Sequence, residues 1–232
     1  DAEISWITTK PTVDLLGPIK RVNWVVVEKP KSLRSISNNR KTLRELRFDT
    51  LLLLQASFSA HLVSMQISAK RKIGFDRRRG KDFHRFFIDE SIPCEDQHFV
   101  DAYLAFARKI GVVEHKVSWA GVFASMDVDW ANRELPEGFP RVGIATTPSK
   151  NERRWSEEGY KQVIEYLVAR NIFVFLFGSN GKEEVSFNAK LASCFSGKII
   201  NLTGKTTLPQ WSALISEINL LVAPDTGCVH VA

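Results

Sequence analysis

Short apolar runs alternate with amphipathic stretches along the whole chain. Residues 4–8, 22–27, 50–54, 72–75, 142–146, 172–177, 198–202 and 220–223 are rich in Val, Ile, Leu and Phe, with little polar alternation. Such runs predict strands buried on both faces of a parallel sheet. Between them, Phe99, Val100, Tyr103, Leu104, Ala107 and Ile110 recur at helical spacing, and Gly111 is placed as a C-terminal stop. Tyr160, Val163, Ile164, Leu167 and Val168 repeat that pattern behind Ser156 as N-cap, with Glu157 and Glu158 in the first turn, where the helix dipole favours anions. Thr207-Leu208-Pro209-Gln210 reads as a capping box.

Strand–helix alternation predicts an α/β fold with binding sites at the carboxyl ends of strands. The polar stretch 132–140 carries Pro136, Gly138 and Pro140, and reads as a linker between a domain over 1–131 and a second over 141–232. The chain has no initiating Met, approaches a strand at once, and stops within a predicted helix. Both domains are therefore expected to be incomplete, the first lacking its opening strand.

Composition narrows the class. The 232 residues are 44% apolar and 25% charged, enough for a packed core. A net charge of +6 favours anionic partners, whether nucleic acid, phosphorylated lipid or nucleotide. Cys94, Cys194 and Cys228 form no Cys-x-x-Cys pair, which argues against a disulfide framework and a zinc site and suits a reducing cytoplasm. No apolar run is long enough for a transmembrane helix, and no signal peptide is visible.

Four constellations carry candidate chemistry. In the first, the run ending at Ala223 turns through Pro224-Asp225-Thr226-Gly227 into a helix bearing His230. A strand end, a hydroxyl and backbone N–H groups are suited to a diphosphate, and Gly227 allows close approach. Two other readings of Asp225 compete. It is a favoured helix cap. Asp-Thr-Gly also occurs in aspartic proteases, but these need two such carboxylates in one site, and this chain has one, in an α/β context. In the second constellation, Thr146 and Thr147 open the second domain ahead of Arg153 and Arg154, hydroxyls and cations fit for phosphate oxygens; a solvated charged loop is the plainer reading. In the third, Gly178 to Glu184 places carboxylates past a strand, as ribose ligands or as first-turn partners of the helix dipole. The fourth is the basic run from Lys70 to Arg85, a solvated face, a nucleic-acid surface, or a site for an anionic acceptor; aromatic interleaving of the stacking type is sparse. His61, His84, His98 and His115 show no ligand spacing.

Taken in order, these segments resemble glycosyltransferase family nine, which contains the ADP-heptose:lipopolysaccharide heptosyltransferases. The resemblance rests on Ile4-Ser5-Trp6-Ile7, on Gly74-Phe75-Asp76-Arg77, on Asn201-Leu202-Thr203-Gly204-Lys205-Thr206-Thr207-Leu208, and on Asp225-Thr226-Gly227 with His230. It implies a GT-B architecture of two Rossmann-like domains, an inverting transfer, no metal or cofactor, and ADP-heptose as donor substrate. Within the family, Thr146, Thr147 and Arg153 are most similar to the enzyme that adds the first heptose to Kdo. The resemblance implies donor contacts at Thr146, Thr147, Arg153, Glu183, Thr206, Asp225, Thr226, Gly227 and His230. Arg153 takes a catalytic role against the leaving diphosphate, Arg79 and Lys81 meet the acidic Kdo acceptor, and the aspartate base is expected outside this chain. Also implied are a lipid-linked acceptor, peripheral contact with the anionic inner membrane of a Gram-negative bacterium from the cytoplasmic side, and no nucleic-acid partner. The alternatives are a transferase for another sugar nucleotide and a non-catalytic anion-binding protein on the same fold.

Overall fold

A computed structural model describes residues 2–113, 117–118, 127–148, 154–195 and 197–232. Two compact units emerge, residues 1–10 with 21–120 and residues 11–20 with 121–232.

In the first unit, β1 (Ile4–Thr8) and β2 (Val22–Val26) pair in parallel; α1 (Lys10–Leu16), which follows β1 in the chain, belongs after its first residue to the second unit. β3 (Arg47–Leu52), β4 (Ser68–Gly74) and β5 (Glu90–Ser91) form a separate parallel sheet in that order. Helices α2 (Leu33–Leu43), α3 (Phe58–Ser64) and α4 (Phe99–Lys109) accompany these strands. No ladder joins the two sheets among the described residues. They share a side-chain core instead, with Val27, Leu43 and Ile67 packed against Ile7, Val25, Phe48 and Leu51. The expectation of strands buried on both faces fails for β1 and β2, whose residues are all half-buried or exposed. A two-stranded sheet gives each strand only one neighbour, so an apolar run alone does not secure burial.

Helix α4 begins where the apolar spacing places it, but its most buried face differs. Ala102, Ala105 and Phe106 lie in the core with Ile73, Phe75 and Ile92, whereas Phe99, Tyr103 and Ile110 stay exposed. The two alanines allow close approach to the sheet. Phe99 and Tyr103 lean on the edge of Phe75 at centroid distances of 6.2 and 5.9 Å.

The second unit holds one four-stranded parallel sheet. Its strands are β6 (Arg141–Ala145), β7 (Phe173–Phe177), β8 (Ile199–Asn201) and β9 (Leu220–Val222), in the order β8-β7-β6-β9. Helices α5 (Val128–Glu134), α6 (Glu157–Ala169), α7 (Lys182–Ser193), α8 (Leu208–Glu217) and α9 (Gly227–Val231) complete it. Alternate residues of β7 feed two cores: Val174 and Leu176 pack with Tyr160 and Ile164, while Phe175 and Phe177 pack with Ala213 and Leu214. This is the two-sided burial that the apolar runs predict. Ser156 caps α6 by accepting from the Gly159 N–H, and Thr207 and Gln210 form the expected capping box on α8. Residues 132–134 are not linker but the last turn of α5. Asp127 caps that helix, and Ala131 and Leu135 anchor it in the core.

Candidate functional site

Numbered by chain order, the second sheet runs 3-2-1-4. Strand order therefore reverses between β6 and β9, and the carboxyl-end crevice at such a reversal is where open α/β sheets bind ligands. Ile144 of β6 stands opposite Val222 of β9, so Thr147 and Asp225 each lie three residues beyond that pair. The Thr147 hydroxyl is buried and has no hydrogen-bond partner among the described residues. An unpaired buried hydroxyl costs about 1–3 kcal/mol, which makes Thr147 a candidate contact at this crevice.

Across the reversal, the N-cap of α9 is Thr226 rather than Asp225, which corrects the reading of Asp225 as a simple cap. The backbone of Thr226 is extended, and its side chain makes no capping hydrogen bond. Asp225, Gly227 and His230 are exposed. A Cβ on Gly227 would meet nothing within 4 Å, and its φ is not left-handed. Neither backbone nor packing therefore requires glycine there, and open space remains beside the turn for a ligand.

Thr146 serves differently from its neighbour. It is fully buried, and its hydroxyl donates to Asn188 Oδ1 at 2.6 Å. Asn188 in turn donates from Nδ2 to Thr203 Oγ1 at 2.7 Å and to the Phe177 carbonyl at 3.3 Å. The Tyr160 hydroxyl donates to the Thr146 carbonyl at 3.3 Å. One amide on α7 thus ties together the carboxyl ends of β6, β7 and β8. The donor contact expected of the Thr146 side chain is replaced by a framework role, because its proton is already committed. Asn188 has no local sequence signal; an Asn in the middle of an amphipathic helix reads as a solvated position.

The turn after β7 separates two adjacent carboxylates. Buried Glu184 accepts from the Ser179 N–H at 2.9 Å and the Ser179 hydroxyl at 2.6 Å. It packs where a Cβ on Gly178 would stand, 2.4 Å from Glu184 Oε1, so this carboxylate closes the turn and requires that glycine. Glu183 remains at the surface and accepts from Arg154 Nη1 at 2.7 Å. Arg154 lies 5.6 Å above the Phe187 ring, and its Nε is buried without a partner among the described residues. Thr206, half-buried, follows β8 in the loop whose Gly204 N–H donates to the Gly178 carbonyl at 3.0 Å. Arg153 lies outside the described residues.

In the first unit, the basic segment after β4 is built around a buried carboxylate. Asp76 accepts from the Arg78 N–H at 2.9 Å and pairs with the Arg79 guanidinium, whose Nη2 also donates to the Pro93 carbonyl at 2.7 Å. Arg79, expected to meet an acceptor, is thus largely engaged in holding this loop, whereas Lys81 is exposed. Together with Phe75, Asp76 and His84, Lys81 lines a cleft of about 660 Å³. Arg79 and neighbouring N–H groups hold the Asp76 carboxyl below its ordinary range despite its burial.

His61 and His84 form a buried pair that spacing does not reveal, 23 residues apart in the chain. The Phe75 N–H donates to His84 Nε2 at 2.9 Å, so that nitrogen carries no proton. His84 must then donate from Nδ1 to His61 Nε2, 2.8 Å away, which leaves the proton of His61 on its buried Nδ1, drawn towards the Asp82 backbone without a well-formed hydrogen bond among the described residues. Burial lowers the affinity of both rings for a second proton, and for His84 the neighbouring His61 adds to this.

No group of three His, Cys, Asp or Glu side chains among the described residues is placed to hold a metal ion. No helix among them is long and apolar enough to cross a membrane.

Known proteins match both the sequence and these folds. The lipopolysaccharide core heptosyltransferase OpsX of Haemophilus influenzae is 31% identical over 99% of this chain and 67% of its own length. Lipopolysaccharide heptosyltransferase 2 of Salmonella typhimurium is 26% identical over 82% of this chain, which spans 58% of that protein. Among solved structures, the glycosyl transferase family 9 protein from Veillonella parvula superposes with a TM-score of 0.74 at 19% identity, covering 99% of this chain and 68% of its own. The E. coli heptosyltransferase WaaC with ADP also gives 0.74, at 17% identity, covering 98% of this chain and 73% of its own. These likenesses establish an α/β fold with parallel sheets shared with heptosyltransferases. The family model described as "Glycosyltransferase family 9 (heptosyltransferase)" matches residues 36–232, and the chain belongs to that family.

Proposed function

We propose that this chain serves an inverting, metal-independent glycosyltransferase of GT-B type, which moves a heptose from ADP-heptose to the Kdo region of the lipopolysaccharide inner core. The observation that carries this reading is the buried Thr147 hydroxyl, without a partner among the described residues, at the strand reversal of a family 9 chain. A diphosphate would accept from Thr147, from Thr226 and from the backbone at Gly227. Arg153 would add a fixed cation against the charge that grows on departing ADP. Asp225 and His230 stand beside that turn for the sugar, Glu183 takes the ribose hydroxyls, and Thr206 lines the base pocket. The Arg154 pairing supports the ribose assignment by holding Glu183 at the end of β7.

The acceptor hydroxyl attacks the anomeric carbon as the bond to ADP breaks, through an oxocarbenium-like transition state. A carboxylate takes the hydroxyl proton; it is assigned to none of these 232 residues. Lys81, with Arg79 behind it, meets the acidic acceptor. That acceptor is lipid-linked, so the basic first unit is read as the side turned to an anionic membrane surface.

Calorimetry of ADP and ADP-heptose against the chain, at moderate salt and without metal, tests the donor site. Binding should weaken at least about tenfold in Thr147→Val and be lost in Asp225→Ala. In a complete transfer assay, Arg153→Ala should lower turnover by at least about tenfold. Absence of binding by either ligand rejects the donor assignment, and tight binding of a different sugar nucleotide replaces ADP-heptose.

A further inference from the structure

The loop between β4 and β5 presents two phenylalanines to solvent, Phe83 at 78% exposure and Phe86 at 67%. Single exposed apolar residues are ordinary on protein surfaces. This pair is not scattered: the two rings approach to 6.3 Å between centroids, and the Arg85 guanidinium lies over the Phe86 ring at 4.7 Å. Exposed Arg77 and Arg78 precede them on the same loop. The acidic groups nearby are largely committed. The Asp82 carboxylate accepts from the Phe58 N–H at 3.1 Å and Asp89 accepts from the Lys72 N–H at 2.7 Å, while Asp96 stands 3.8 Å from Arg78.

The backbone is held so as to keep Phe83 outward. Asp82 and Phe83 both have left-handed φ, 52° and 60°, a region that a bulky side chain rarely occupies. The tie from Asp82 to Phe58 fixes one side of this turn. The next residue, His84, is locked beneath the loop by the Phe75 N–H and by His61. Gly74 makes that lock possible, since a Cβ there would stand 2.3 Å from His84 Nε2. A loop braced in a costly conformation, with its rings out and guanidinium groups beside them, fits an interface that is apolar inside and anionic at its rim. Aromatic rings favour the boundary of a bilayer, and arginines favour its headgroups.

We propose that Phe83 and Phe86 insert into an anionic phospholipid surface, with Arg77, Arg78 and Arg85 on the headgroups, and so dock the first unit at the membrane. The inference deepens the peripheral-membrane part of the proposed function and rests on that reading. It differs from attraction by net charge alone because it requires an apolar side chain at both positions.

Co-sedimentation with lipid vesicles tests it, using the whole chain and vesicles of phosphatidylcholine with or without about one-third phosphatidylglycerol. The chain should sediment with the anionic vesicles only. Phe83→Ala/Phe86→Ala should weaken partitioning at least about tenfold, and Phe83→Leu/Phe86→Leu should restore most of it. All three proteins should bind ADP equally, which separates this inference from the donor site. If no protein binds ADP, the donor reading fails while the vesicle result still stands. If the parent ignores anionic vesicles, the peripheral reading fails with the inference. If the parent binds and the alanine variant binds equally, only the inference is overturned, and charge suffices. Equal loss in the alanine and leucine variants also overturns it, by showing that apolar side chains at these positions do not suffice. Retention of oligo(dT) in place of vesicles would assign the surface to nucleic acid.

Discussion

The two units are made from the same kind of apolar run, yet only the two central strands of the second bury theirs almost fully. In β7, every residue after the first is buried, because β6 and β8 flank it and helices cover both faces. In β1 and β2, no residue is buried, although Ile4-Ser5-Trp6-Ile7 and Val22 to Val26 are comparably apolar. β8 and β9, the outer strands of the second sheet, also hold no buried residue, so burial follows the number of flanking strands. The β1-β2 pair and the β3-β4-β5 sheet share no ladder among the described residues. The second unit has its 3-2-1-4 core in one continuous ladder, and there the candidate donor site gains a firm floor.

Hydrogen exchange should expose this contrast most strongly. Amides of Val174 to Phe177 should exchange only on global opening of the second unit, and those of β1 and β2 several kcal/mol more readily. Equal protection in both units would remove the distinction. Next in size is the removal of Asn188. Asn188→Ala leaves the hydroxyls of Thr146 and Thr203 and the Phe177 carbonyl short of a partner, all three in a buried setting. Denaturant unfolding should show a loss of about 3 kcal/mol or more, confined to the second unit. A loss below about 1 kcal/mol would mean that water replaces the amide and that the clamp is dispensable.

A smaller effect is expected on the other side of the comparison. Gly74→Ala drives a methyl group into the His84 ring, so the first unit should lose about 2 kcal/mol with the second unaffected. Acid should act on the same pair more gently. Burial lowers the folded pKa of both His61 and His84, so their neutral forms favour folding. That contribution is present above the unfolded pKa of about 6.5 and is lost as pH falls through it towards the folded values. Asp82 opposes the shift at His61 without reversing it. Thermal melts from about pH 7 to about pH 5 should therefore show a first-unit transition that drops by a few degrees. His61→Gln keeps an acceptor for the His84 Nδ1–H and should flatten the slope; an unchanged slope would place the titration elsewhere.

What could be read from the sequence follows from the range of the interactions. The caps at Ser156 and at Thr207 with Gln210 are local, and they stand where expected. The strands β6 and β7 were legible because both of their faces are apolar. By contrast, β5 is two residues long and gains its identity only from Ile73 and Gly74 beside it. The buried face of α4 was misread because two alanines, not the larger Phe99 and Tyr103, meet the sheet. For the site, Thr147 and the Asp225-to-Gly227 turn were visible as motifs. The separation of Thr146 from Thr147, and of Glu184 from Glu183, was not. It depends on Asn188 and Ser179, whose roles exist only once the strands stand side by side.

The finest test sits at Gly227, where stability and ligand affinity should part company. Gly178 is required by the packing of Glu184. At Gly227 the space is open and φ is ordinary, so Gly227→Ala should leave unfolding within about 0.5 kcal/mol of the parent. A helix-favouring residue at the first position of α9 would, if anything, stabilise. ADP affinity should nevertheless fall, by about tenfold, because a methyl group would stand where a phosphate oxygen approaches the backbone. Unchanged affinity with unchanged stability would mean that the diphosphate does not reach this turn, and would move it towards Thr147 and the β6 loop. A stability loss instead would show that the reason for Gly227 lies in packing rather than in its ligand.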